Sequence, residues 1–372
     1  MQLSVMHDVY HSILTKTTNY GSSNKKLRSL FIFGKSLTDY SGFRLLIVLE
    51  MHNCLLRLEG QKWFKELIQL RYLGFFDCEI VGGSQIPKEI CHMQNLQTLN
   101  CEKTWYIELP ESLWSIKTLK HVRTNCTETL PPPSDDLTFT NLQTLQDVRL
   151  EHTQGELYSF PSLYELGLRN YGKSWDPIIG LLRNKTLRKL VHLSMIGRDV
   201  PLDVVDMRRF IFFEHLQCLE LWGLWCHYVS LRAHFFPSCL TKLLLGWCEF
   251  TEDPMPELGK LQNLKILSLG YKAYIGRQMT CPVGGFPQLR ELILWGQENV
   301  DINIEEGTMS MLKRFKIALR SWRIPDVQHL TKLEEFTILM YEASFSEEEI
   351  QKMRQENQHK LNHIRAVVIK RF

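Results

Sequence analysis

Apolar positions recur along this chain in a single frame, L-x-x-L-x-L, with Cys, Thr, Asn or Arg three residues further on. The clearest copies are Leu46, Leu49, Met51 and Cys54; Leu70, Leu73, Phe75 and Cys78; Leu96, Leu99, Cys101 and Thr104; Leu119, Val122, Thr124 and Thr127; and Leu145, Val148, Leu150 and Thr153. The frame begins at Leu27 and runs on through Leu163, Leu190, Leu216, Leu240, Leu264, Leu289, Leu312 and Leu333. A degenerate last copy stands at Ile364, Val367 and Ile369. These are about 15 copies at a mean interval of about 24 residues, a period that belongs to repeat architectures and not to a globular enzyme.

The alternation inside each copy sets the local structure. Residues two apart point to the same face of an extended strand, so the last two apolar positions of the frame face a core and the residues between them face solvent. One such strand cannot bury its apolar row alone; stacked in parallel on its neighbours it can, with the chain returning along the other side. The predicted fold is therefore α/β: a leucine-rich-repeat solenoid, or horseshoe, with a parallel concave sheet and an irregular convex side.

The two ends read differently from the repeats. Residues 1–26 form an N-terminal cap, with an opening strand over Leu3 to Met6 and a polar loop over Thr15 to Asn24. Residues 27–345 hold the repeats, with no gap large enough for an independent domain. Residues 346–372 form a C-terminal cap: Ser346 and Glu349 make a capping box, Glu347 to Glu349 suit the positive end of a helix dipole, and a last strand follows at Ile364 to Ile369.

Composition narrows the function classes. The 44 Lys and Arg against 41 Asp and Glu give a net charge of +3, which supplies no general attraction for nucleic acid or an anionic membrane. No stretch approaches the roughly 20 apolar residues needed to cross a bilayer, and the start lacks a signal-peptide pattern, so a cytoplasmic protein is expected. Of the ten cysteines, Cys54, Cys78 and Cys248 take the ninth repeat position and Cys101 replaces a ladder leucine. With no C-x-x-C pair, buried reduced thiols are expected, and the sequons at Asn125 and Asn184 are read as accidental.

Few motifs could carry chemistry. Gly167 to Ser174 matches the phosphate-loop pattern G-x-x-x-x-G-K-S, but Gly167 falls inside a ladder strand between Leu166 and Leu168, where its amide is committed to the sheet. The match is read as coincidence. His7 and His11 have metal-ligand spacing without a third ligand, and the basic cluster Arg183, Lys185, Arg188 and Lys189 reads as a solvated convex segment. No G-x-S-x-G or H-E-x-x-H occurs. No cofactor, no metal and no enzymatic activity are expected.

The return limb carries a proline signature: Ile86-Pro87-Lys88-Glu89-Ile90 before Met93 and Leu96, Leu109-Pro110-Glu111-Ser112-Leu113 before Ile116 and Leu119, and Met255-Pro256-Glu257-Leu258 before Leu261 and Leu264. These segments resemble the leucine-rich region of plant intracellular disease-resistance receptors of the nucleotide-binding NLR class, in which L-P-x-x-I-x-x-L-x-x-L is habitual. The resemblance covers nearly the whole chain, including its irregular repeat intervals. It implies a surface that senses a pathogen effector, directly or through a guarded host protein, and restrains a nucleotide-binding switch lying N-terminal to the repeats. This chain has no room for that switch, so a truncated paralogue, a gene-model fragment or a free-standing protein is expected. Met6-His7-Asp8 spells the motif that ends the switch module in that family, yet LSVM around it fits an opening strand better.

Aligning the copies places Trp222, Trp247, Tyr271 and Trp295 just after the ladder strand in four consecutive repeats. Two arrangements satisfy that spacing: an exposed aromatic stripe, or rings folded over the rim onto neighbours such as Gly223, Gly246, Gly270 and Gly296. The preceding half of the concave face presents Lys103, Arg123, Arg149 and Arg169, interspersed with Glu102 and Glu151. Together these eight residues suit an acidic, partly apolar protein ligand. The expected function is a non-catalytic protein-recognition or autoregulatory module in plant innate immunity. Its expected partner is a pathogen effector, a guarded host protein or a receptor nucleotide-binding domain, with no nucleic acid and no membrane insertion. A general intracellular scaffold that assembles signalling complexes is the alternative.

Overall fold

A computed structural model of the protein describes residues 2–5, 26–34, 40, 42–83, 85–104, 107–125, 130, 139–149, 158–170, 180–183, 185–201, 207–226, 229–296, 300–319, 324–340 and 347–371. The chain forms two compact units, one of residues 1–169 with 176–189, the other of residues 170–175 with 190–372.

In the first unit the strands Gln2–Val5, Ser29–Phe33, Val48–His52, Tyr72–Phe76, Thr98–Asn100, His121–Arg123, Thr144–Arg149 and Glu165–Asn170 pair in parallel, each with the next in the chain. Burial alternates along them, as in Ser29–Phe33 and Val48–His52, where the second and fourth residues are buried. The ladder leucines Leu49, Leu73 and Leu99 are register partners with no accessible surface. The chain turns away from the sheet through left-handed residues at Asn53, Asp77 and Lys103, with φ of 51°, 52° and 60°.

The ninth repeat position then ties one repeat to the previous one. The Cys54 thiol donates to the Ile32 carbonyl at 3.9 Å and Cys78 to the Met51 carbonyl at 3.3 Å. Thr104 Oγ1 donates to the Phe75 carbonyl at 2.5 Å and accepts from the Cys78 amide at 3.1 Å. A small side chain with a donor fits a buried turn there, because it satisfies a carbonyl that would otherwise be stranded. Cys54, Cys78, Cys248 and Cys281 are buried free thiols.

The return limb is built of short 3-10 helices, including Lys88–His92 and Glu111–Ser115, each preceded by its signature proline at φ −56° and −73°. The fixed φ of proline starts the turn at a position whose amide would have no partner. Ile90, Leu113 and Trp114 then point inward, and an aromatic stack of Phe139 on Phe160, centroids 4.8 Å apart, fills the space behind the sheet.

One copy departs from the sequence frame. The repeat expected to start at Leu145 starts at Leu142, since Leu145 pairs with Val122 and Leu166, while Val148 pairs with Leu168. The register shift is a bulge at Gln146–Asp147, with Asp147 at φ 60°. The extra residue pushes the third ladder position from 147 to Val148, and a period-two reading cannot show it. Gly167 faces this bulge: a β-carbon there would lie 3.1 Å from the Asp147 amide nitrogen and 3.3 Å from Gln146 Cα. Close backbone approach accounts for that glycine; residues 171–174 of the phosphate-loop match, like Met6-His7-Asp8 and His11, lie outside the described residues.

The second unit repeats the plan. Strands His192–Pro201, Cys218–Trp225, Lys242–Gly246, Ile266–Leu269, Glu291–Leu294, Arg314–Leu319, Glu335–Met340 and Ala366–Arg371 pair in parallel in chain order. Leu193, Leu219, Leu243, Leu267 and Leu292 form a register column with no accessible surface. Behind the sheet, Asp253 accepts from the amides of Met255 at 3.0 Å and Thr280 at 2.7 Å, tying two neighbouring return limbs. Helices Glu347–Glu356 and Gln358–Leu361 precede the last strand, with Leu361 and Ile364 buried.

Leu243→Ala is expected to cost about 3 kcal/mol of unfolding free energy, as for a well-packed buried leucine, while Lys265→Ala at an exposed neighbouring position changes it by less than about 0.5 kcal/mol. Urea denaturation of both variants checks this; equal effects would contradict the stacking of the ladder.

Candidate protein-recognition face

The residues that alternate with the ladder lie on the open face of each sheet. In the second unit, Trp222 stands on Cys218–Trp225 as the register partner of Gly246. Its ring lies along the sheet: a β-carbon at Gly246 would come within 2.3 Å of Trp222 Cε3, and one at Gly270 within 2.8 Å of its Cη2. Tyr271 repeats the device over Gly296, where a β-carbon would meet Tyr271 Cδ1 at 2.2 Å. Glycines of the following repeats thus form the floor for these rings, and both rings, like that of Trp295, are half-buried.

Trp247 behaves differently. It keeps 44% of its surface exposed and sits in the left-handed region at φ 53°, which is strained for a bulky side chain. Two backbone bonds hold the turn, from the Trp247 amide to the Tyr271 carbonyl at 2.6 Å and from the Glu249 amide to Lys272 at 2.8 Å. Its ring stacks on Tyr271 at 6.4 Å and 26°, and the Lys272 ammonium lies 5.2 Å from its centroid. The result is a solvent-facing aromatic pair with an attached cation.

Further along the same unit, Glu291 is a charge hub. Its carboxylate accepts from Arg314 at 2.7 Å and Lys316 at 3.1 Å. Burial raises its pKa, but these two cations outweigh it and hold the carboxyl below the ordinary range.

In the first unit the basic residues are largely compensated. Arg123 bridges Glu102 at 3.1 Å and Glu165 at 2.9 Å. Arg169 donates to Asp147 and to Asn125 Oδ1, each at 3.0 Å, so the bulge supplies its counter-charge. Arg149 is half-buried. Lys103 is exposed, with its ammonium 5.1 Å from the Phe76 centroid.

That contact belongs to an aromatic ladder that sequence reading missed. Phe33 stacks on His52 at 4.9 Å and 18°, and His52 meets Phe76 at 5.2 Å. The three are register partners across adjacent strands. Each directly follows the third ladder residue of its repeat, the position of Trp222 in its own, so the rule that picked out Trp222 applies equally to them. Glu50 accepts from Tyr72 Oη at 3.1 Å and lies 3.3 Å from His52 Nε2. Burial, with Glu50 beside it, pushes the Tyr72 phenol up to about 12 despite the opposing bond from Asn100.

The glycine floor makes a double-mutant prediction. Gly246→Ala alone should destabilise the protein by about 1–3 kcal/mol, because the new methyl collides with the Trp222 ring. The same change in a Trp222→Ala background should cost less than about 1 kcal/mol, a coupling that thermal or urea unfolding reads directly. Additive effects would place the ring elsewhere.

Residues 26–365 match the family model described as "Leucine-rich repeat region". The chain is 30% identical over 310 residues to the putative disease resistance protein At1g59780 of Arabidopsis thaliana, covering 76% of this chain and 33% of that protein. It is 30% identical over 361 residues to the probable disease resistance RPP8-like protein 4 of the same plant, covering 91% and 37% respectively. The chain thus spans about a third of the length of these relatives. Among solved structures, a Leptospira interrogans leucine-rich-repeat protein superposes with a TM-score of 0.55 at 20% identity, covering 94% of this chain and 97% of that one, a likeness of fold alone. No described helix is long and apolar enough to cross a membrane. The chain belongs to the leucine-rich repeat region family and is of the kind carried by plant disease-resistance proteins.

Proposed function

We propose that this chain is a non-catalytic recognition and autoregulatory module of plant innate immunity, acting in the cytoplasm. It binds a pathogen effector, a guarded host protein or a receptor nucleotide-binding domain through the open face of its repeat sheet. The observation that carries this reading is Trp247: an exposed indole, held at positive φ and backed by Tyr271 and Lys272. A strained, solvent-facing aromatic is a costly feature for stability alone, and such outliers point to function. Large aromatics with a fixed backing also lose little rotamer entropy on binding and so supply interface hot spots.

The disease-resistance relatives support the biological setting, and the repeat fold supports binding over catalysis. The compensated charges of Arg123 and Arg169 refine the ligand. Lys103 in the first unit and Lys272 in the second are each poised beside an aromatic ring. A partner surface with carboxylates next to apolar side chains fits those pairs.

Affinity capture from plant tissue, comparing the wild type with Trp247→Ala, tests the reading. Proteins captured by the wild type should be lost or reduced at least about tenfold, as for removal of a hot-spot aromatic, with an unchanged unfolding curve. An identical captured set would remove Trp247 from the interface and take this reading's main support with it.

A further inference from the structure

A second constellation on the open face of the second unit is separate from the aromatic row. His192 and Cys218 are register partners on adjacent parallel strands, and Glu220, two residues beyond Cys218, points to the same face. All three are half-buried. His192 Nε2 lies 3.5 Å from Glu220 Oε1, Cys218 Sγ lies 3.9 Å from the same oxygen, and the three donor atoms all fall within 4.8 Å of one another.

Those separations have a chemical meaning. A tetrahedral zinc ion with nitrogen and oxygen ligands at roughly 2.0–2.1 Å and sulfur at about 2.3 Å sets the N···O edge at about 3.4 Å and the S···O edge at about 3.6 Å. The N···O and S···O edges match within a few tenths of an ångström, and the third edge, between the His192 nitrogen and the Cys218 sulfur, is held within 4.8 Å, so rotation of these half-buried side chains closes the site. An imidazole, a thiolate and a carboxylate also form a donor set that discriminates against magnesium and calcium and suits zinc. We propose that His192, Cys218 and Glu220 form a three-ligand zinc site on the sheet surface. The fourth position is left to water or to a donor side chain of a docked protein.

Lys242 is the built-in competitor. It is the register partner of Cys218, and its ammonium lies 3.4 Å from Glu220 Oε1. Without metal, the Lys242 ammonium neutralises the carboxylate; with metal, the ion takes over that role, the Cys218 thiol and any protonated His192 imidazole release their protons to solvent, and Lys242 is displaced. Removing the lysine should therefore tighten metal binding, whereas a purely structural ion-pair cluster would gain nothing from its loss.

The test is titration of the reduced, metal-free full chain with Zn²⁺ by calorimetry and with Co²⁺ by absorption, where a thiolate ligand produces a sulfur-to-cobalt charge-transfer band. One equivalent should bind, with the band present in the wild type and absent in Cys218→Ser. His192→Ala and Glu220→Gln should weaken zinc binding at least about tenfold, and Lys242→Met should strengthen it. Glu220→Gln preserves shape, so it reports on the site even where a larger change disturbs folding. Cys91→Ser and Cys239→Ser, at the other half-buried described thiols, should keep the band. No charge-transfer band in the wild type, or a band retained in Cys218→Ser, would overturn the proposal.

Discussion

Each strand of this protein is stable only because the strands beside it cover its leucines. Leu219, Leu243, Leu267 and Leu292 lie in one register column, and none has accessible surface. Burying a leucine side chain is worth about 1.5–3 kcal/mol, but a single strand of five residues buries nothing by itself. The gain exists at the interfaces between repeats, and it recurs there about every 24 residues. Polar ties follow the same logic: the thiols of Cys54 and Cys78 and the hydroxyl of Thr104 each satisfy a carbonyl of the preceding repeat. The fold is held by contacts that run along the stack.

This arrangement frees the opposite face. Because every second side chain of a strand points away from the ladder, the open face can change composition without loss of the core. Two solutions appear on it. In one, rings are laid on glycines, as with Trp222 over Gly246 and Tyr271 over Gly296, or on each other, as with Phe33, His52 and Phe76. In the other, carboxylates are shared among several donors, Arg314 and Lys316 at Glu291, Arg123 and Gln146 at Glu165. Both build a preorganised surface, and preorganisation reduces the entropy lost when a partner binds. Trp247 and Lys272 are exposed parts of that surface.

The periodicity was sufficient to find the repeats, their parallel strands and the proline-led return limbs, because each depends on residues close together in sequence. It failed at Leu145, where a one-residue bulge slides the frame and leaves the leucine spacing looking intact. The aromatic row was visible, but the direction of each ring was not, because that depends on which residue the next repeat places beneath it: glycine for Trp222 and Tyr271, a tyrosine ring for Trp247. The Arg123 and Arg169 charges looked available in sequence for a related reason. Their partners Glu165 and Asp147 lie in neighbouring repeats, brought close only by register. His192, Cys218 and Glu220 were hidden in the same way, since their proximity comes from the pairing of two strands and not from any local motif.

The most direct test of the account is hydrogen–deuterium exchange of the full chain with and without a partner captured through the wild-type protein. The account predicts new protection concentrated at residues 246–250 and 270–274, around Trp247, Tyr271 and Lys272, with the return-limb segment 255–262 unchanged. Protection centred on the return limb, with the Trp247 turn unaffected, would contradict recognition by the open face.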